Sequence, residues 1–148
     1  MRYHEIEECL INQETIDSFR KKLEDDQFAC IAHHSKLFKT GIMNEPGQLK
    51  ATLEELTGVY MDLATISGVL EEIIARREEA FFCRERAVYI ANDDKFVVSV
   101  MEKESRNQVA HLKILLSEIK SNVEASGKGM SSCQSQMKLM TQEINLAH

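Results

Sequence analysis

Apolar residues recur along the middle of the chain with alternating gaps of four and three: Leu49, Leu53, Leu56, Tyr60 and Leu63, then Ser67, Leu70, Ile74, Arg77, Phe81, Arg84 and Val88. A second series holds the same spacing through Val109, Leu112, Leu116, Ile119, Val123, Ser126, Met130, Cys133, Met137, Met140 and Ile144. A 3.5-residue repeat keeps one stripe of a helix turned toward one neighbour over many turns, so the pattern predicts two long helices with a left-handed supercoil. Pro46, two residues after Asn44, suits a first helical turn, where its missing N–H costs no intrahelical bond. The first long helix is therefore drawn over 44–91 and the second over 94–146. Asn92-Asp93-Asp94 is the polar break between them, with Asp or Asn available to cap the second helix. A link this short implies an antiparallel hairpin.

Three segments interrupt the pattern. Gly58 and Gly68 inside the first helix each cost about 1 kcal/mol relative to alanine, which suggests close packing or a bend. Ser126-Gly127-Lys128-Gly129 marks a potential kink in the second helix, although the heptad phase continues through it. Phe96-Val97-Val98-Ser99-Val100 is β-branched enough for a strand, but no second strand candidate exists to pair with it, so helix is preferred. Upstream, Ile16, Phe19, Leu23, Ile31 and Leu37 mark a helix over 13–39 with a poorer seam, stopped by Gly41, and residues 3–10 form a short helix or an arm.

The expected fold is all-α: one helical domain over 1–148, with an N-terminal segment to 41 and a long hairpin. A helix of about 46 residues is roughly 69 Å long, more than a compact domain of this size requires. Its seam (Leu49, Leu53, Leu56, Leu63, Leu70, Ile74, Leu112, Leu116, Ile119, Val123) is accordingly expected to bind further copies in a bundle or ring.

Composition agrees with a single domain: 148 residues, 43% hydrophobic, and a single proline, too few turn signals for an all-β fold. No apolar run approaches the ~20 residues needed to span a bilayer, and the acidic N-terminus is unlike a signal peptide. A cytoplasmic location is expected, with Cys9, Cys30, Cys83 and Cys133 kept as thiols. The net charge of −6 hides uneven segments, since residues 1–28 carry eight acids and 51–80 seven. Basic residues gather at Lys36, Lys39 and Lys50 and at Arg76, Arg77, Arg84 and Arg86. A whole-domain basic footprint for duplex DNA is missing, so phosphate is sought only at these two patches. Solvated helix faces with pairs such as Glu72 to Arg76 are the alternative.

Chemistry is sparse. Cys30 and His34 stand one helical turn apart, but zinc wants four ligands and no second pair is found at suitable spacing, so no metal and no cofactor are expected. His4 with Glu8 is weaker still, and His111 at the seam flank reads as a hydrogen-bonded structural residue. The Ser126-Gly127-Lys128-Gly129 run lacks the Walker spacing and a preceding strand, and no nucleophile elbow occurs. Adjacent glutamates at 7–8, 54–55, 71–72 and 78–79 diverge by about 100° on a helix and form no acid–base couple. The chain is expected not to be an enzyme. Arg77 and Arg84 occupy seam positions, where a buried guanidinium needs a partner's acid or a phosphate, unless the seam ends near Ile74. Met130, Cys133, Met137 and Met140 make a softer surface, suited to a core or to an adaptable partner.

Ile16-Asp17-Ser18, His34-Ser35-Lys36, Leu49-Lys50, Asp62 and Ser67-Gly68, then Ala91-Asn92-Asp93-Asp94 before an apolar stretch and the Leu112–Ile119 amphipathic segment, together resemble the small helical recombination mediators of T4-type phages. The resemblance spans about 14–140. It implies a ring-forming protein that loads a recombinase onto single-stranded DNA coated by a single-strand binding protein, with DNA held by His34, Lys36, Lys39 and Lys50. Two other classes fit the residues: a structural or adaptor coiled coil that binds proteins, and an acidic inhibitor that occupies a nucleic-acid site on an enzyme.

Overall fold

The computed structural model describes residues 1–40 and 45–147. Gly41 and Asn44, the expected stop and start of neighbouring helices, lie outside the described residues. The elements are α1 (Tyr3–Glu8), α2 (Gln13–Leu23), a π-helical turn (Glu24–Phe28), α3 (Ala29–Thr40), α4 (Pro46–Ala91), α5 (Val98–Gln108) and α6 (Ala110–Ala147). The fold is all-α, with no strand among the described residues.

Pro46 stands in the first turn of α4, which runs 46 residues without a break. α6 returns antiparallel along it. Lys113 pairs with Glu78 and Lys120 with Glu71, a spacing of seven residues on both helices, and farther along Gly127 faces Tyr60 and Gly129 faces Leu56. α1, α2 and α3 cover the hairpin. Arg20 of α2 pairs with Glu118 of α6, Arg77 of α4 donates to the Leu10 carbonyl at 2.9 Å, and α3 reaches α4 through His34 and Glu55. The core lies between these layers and includes Leu10, Phe19, Leu23, Leu49, Leu56, Leu63, Leu70, Leu112 and Ile119.

Most of the seam expected to meet further copies is covered within the chain itself. Leu49, Leu56, Leu63, Leu70, Ile74, Leu112 and Ile119 are buried, and Leu53, Leu116 and Val123 partly so, all within one chain. The N-terminal helices supply the apolar cover that a bare hairpin would need from a partner. On α4 the buried stripe ends at Ile74; Arg77 and Phe81 are half-buried, while Arg84 and Val88 are exposed.

Several local expectations change. The segment 94–146 is two helices, because Val109 leaves helical geometry (φ −112°, ψ 9°) and buries its side chain, which lets α5 pack on the upper part of α4. Asn92-Asp93-Asp94 closes α4 rather than capping α5. The Asp94 N–H donates to the Tyr89 carbonyl and the Asp93 N–H to that of Ile90, with Asp93 at φ 54°, the paired bonds of a Schellman motif. Phe96 and Val97 precede α5, with Val97 extended at its N-cap. Gly58 and Gly68 are exposed with nothing near a would-be Cβ, so neither marks close packing. Through 126–129 α6 continues unbroken, and Gly129 instead meets α4, where a Cβ would lie 2.9 Å from Leu56 Cδ1.

Candidate functional site

The π turn decides which side chains α3 presents. α2 buries Ile16, Phe19 and Leu23 at helical spacing, and one added residue in the turn rotates the next helix by about 100°. α3 therefore buries Ile31 and His34 and leaves Cys30 on the flank that faces α4. There Glu55 stands beside the buried Leu56.

His34 Nε2 lies 2.9 Å from Glu55 Oε2, and the Cys30 thiol donates to Glu55 Oε1 at 3.3 Å. The atoms of these three residues that can ligate an ion lie within 4.8 Å of one another. His34 is buried, 6% exposed, whereas the Glu55 side chain is 58% exposed, so the cluster opens to solvent on its carboxylate side. Nδ1 of His34 is buried without a hydrogen-bond partner among the described residues. Burial, then the hydrogen bond to Glu55 and its charge, push the Cys30 thiol up to about 11. The hydrogen bonds from His34 and Cys30 hold the Glu55 carboxyl below its usual value. A thiol so protonated is the opposite of an activated cysteine nucleophile.

Sequence spacing pairs Cys30 with His34, but Glu55 lies 25 and 21 residues away on another helix. The acidic pair Glu54-Glu55 marks the place only once α3 and α4 are known to pack. Of the other histidines, His4 sits 3.8 Å from Glu7 rather than with Glu8, and His111 is exposed, with no hydrogen bond among the described residues.

The candidate phosphate-binding cations divide into three groups. Lys36, Lys39 and Lys50 are exposed toward the end of the bundle where α3 finishes and α4 begins, and none has an ion pair among the described residues. Lys39 also borders a cleft of about 300 Å³ with Ser35, Phe38, Lys128 and Ser132. His34, grouped with these lysines in the sequence, is buried against Glu55 and also lines the cleft that Lys39 borders. Arg76 is engaged by Glu72 at 2.6 Å and lies over the Tyr3 ring, while Arg77 spends its guanidinium on the Leu10 carbonyl. The acceptor that Arg77 needs is thus inside the chain. Arg84, over the Phe81 ring, and Arg86 stand near the far end of α4, exposed on its surface.

That far end is also apolar on its outside. Val88, Ile90, Val97, Val98 and Val100 are exposed around the link between α4 and α5, where Phe96 packs edge-on against Phe82 and Tyr89. Among the described residues no helix is long and apolar enough to cross a membrane. No family model matches the chain, and neither a curated protein nor a solved structure matches it.

Proposed function

We propose that the protein is a non-enzymatic helical assembly protein that binds single-stranded nucleic acid at the lysine end of the bundle and associates with further protein through its apolar tip. The single-strand binding and the partners, a recombinase, a single-strand binding protein and copies of the chain, follow what the resemblance to phage recombination mediators implies, and the apolar tip is added from the exposed residues at the α4–α5 link. The observation that carries the reading is the distribution of cations. Lys36, Lys39 and Lys50 are exposed without an ion pair among the described residues, whereas Arg76 is paired with Glu72 on the surface and Arg77 donates to the Leu10 carbonyl. Three lysines on an acidic chain bind a strand weakly, so useful affinity requires several copies acting on one strand.

The test is fluorescence anisotropy of a labelled oligothymidylate at low salt, with the oligomeric mass tracked by light scattering. Binding should weaken as salt rises, with a log–log slope of about −2 for three phosphate contacts per chain. Lys36→Glu/Lys39→Glu/Lys50→Glu should abolish it, and Arg84→Glu/Arg86→Glu should leave most of it. No binding by an intact oligomer, or binding unaffected by the lysine reversals, removes the nucleic-acid reading.

The adaptor reading is favoured by one observation, the exposed valines and Ile90 at the α4–α5 link. It expects no DNA affinity and a protein ligand lost on Val98→Asp.

A further inference from the structure

Cys30, His34 and Glu55 are an unusual choice for holding two helices together by hydrogen bonds alone. The thiol is a weak donor, and Glu55 is more than half exposed and well solvated without a partner. Apolar residues of similar size at 30 and 34 would join α3 to α4 at least as well.

The three donors do suit a metal. We propose that Cys30 Sγ, His34 Nε2 and Glu55 together bind one Zn²⁺ ion per chain, with water as the fourth ligand on the solvent side. Thiolate, imidazole and carboxylate are the set this borderline-soft ion takes, and it accepts them in any tetrahedral arrangement. Zinc–ligand bonds of about 2.0–2.3 Å require tetrahedral ligand atoms roughly 3.3–3.6 Å apart. The 2.9 and 3.3 Å separations run to different oxygens of Glu55, and the ligand atoms of all three residues lie within 4.8 Å of one another. Rotation of the carboxylate and a closing of the side chains by up to about an ångström bring them to that range. Cys30 and His34, four residues apart, form an i, i+4 pair on one helical turn, and Glu55 approaches from α4, so the ion clips the two helices together. Glu55 supplies the exposed side through which the ion enters. On binding, the Cys30 proton passes to solvent, and the single ring proton of neutral His34 shifts from Nε2 to Nδ1, which frees Nε2 for the ion.

Reduced, metal-free full-length protein titrated with Co²⁺ provides the test. One equivalent per chain should give a thiolate-to-cobalt charge-transfer band and the intense visible absorption of a tetrahedral ion, and one equivalent of Zn²⁺ should remove both. Cys30→Ser should lose the charge-transfer band, and Cys83→Ser should keep it. In the wild-type chain, Zn²⁺ should slow alkylation of Cys30 at least tenfold, read by peptide mass, and leave Cys83 unchanged; this readout holds even if Cys30→Ser does not fold. Absence of the band in folded protein, its survival in Cys30→Ser, or no protection of Cys30 overturns the site.

Discussion

Asp93 shows how a single residue sets a helix end. Its φ of 54° lies in the left-handed region, where an L side chain costs up to about 1–2 kcal/mol and glycine costs little. Asp93→Gly should therefore stabilise the protein by up to ~1 kcal/mol and Asp93→Val should destabilise it by a similar amount or more, read from urea unfolding midpoints. Asn12 makes the opposite contribution at the start of α2. Its Oδ1 accepts from the Thr15 N–H at 2.9 Å while the Asn12 N–H donates to Thr15 Oγ1, and Asn12→Ala should cost about 1 kcal/mol in the same assay. The thiols separate by environment as well. Cys83 is exposed, whereas Cys133 is buried and its thiol is raised by that burial, so a disulfide reagent should modify Cys83 fast and Cys133 only as the chain opens. At this scale the sequence is a poor guide: Asp93 carries no glycine signature, and His34 with Glu55 is a contact between helices that no local spacing encodes.

Along the elements, more is legible. The start at Pro46, the end before Asn92 and the inward phase of Leu49 to Ile74 are set by periodicity and proline chemistry, because they depend on residues within one helix. The poorer seam of 13–39 has its cause in the π turn, which shifts the phase between Leu23 and Ile31 by one residue. The break at Val109 is hidden in the sequence for a related reason. Met101, Ser105 and Val109 bury at gaps of four, continuous enough in phase with Leu112 to look like one helix. The glycines separate two kinds of position. Gly58→Ala and Gly68→Ala enter open space and should each raise stability by about 1 kcal/mol through helix propensity. At Gly129 the added methyl must displace Leu56, so Gly129→Ala should gain less than either, or lose stability. Thermal unfolding of the three variants side by side checks the order; equal gains would show that α4 and α6 are not packed as closely at Gly129.

For the whole molecule, the question is which apolar surface belongs to the fold and which is available to partners. Sequence periodicity identifies Leu63 and Ile119 as seam residues but cannot say that the covering layer comes from the same chain, because α1 to α3 carry only a short and phase-shifted stripe. Both are fully buried, so Leu63→Ala and Ile119→Ala should each cost about 2–5 kcal/mol of folding stability. The tip around the α4–α5 link has the reverse character. Ile90 is 67% and Val98 53% exposed, and their replacement removes little intramolecular contact. Ile90→Asp/Val98→Asp should leave the unfolding midpoint within about 0.5 kcal/mol of wild type. If the tip is where copies meet, the same variant should lower the mass measured by light scattering at unchanged helix content. Leu63→Ala should do the converse, lowering stability while the folded fraction keeps its mass. A tip variant with unaltered mass and a full-mass assembly would move self-association elsewhere, to surfaces such as the C-terminal end of α6, where Leu139, Ile144 and Leu146 are exposed.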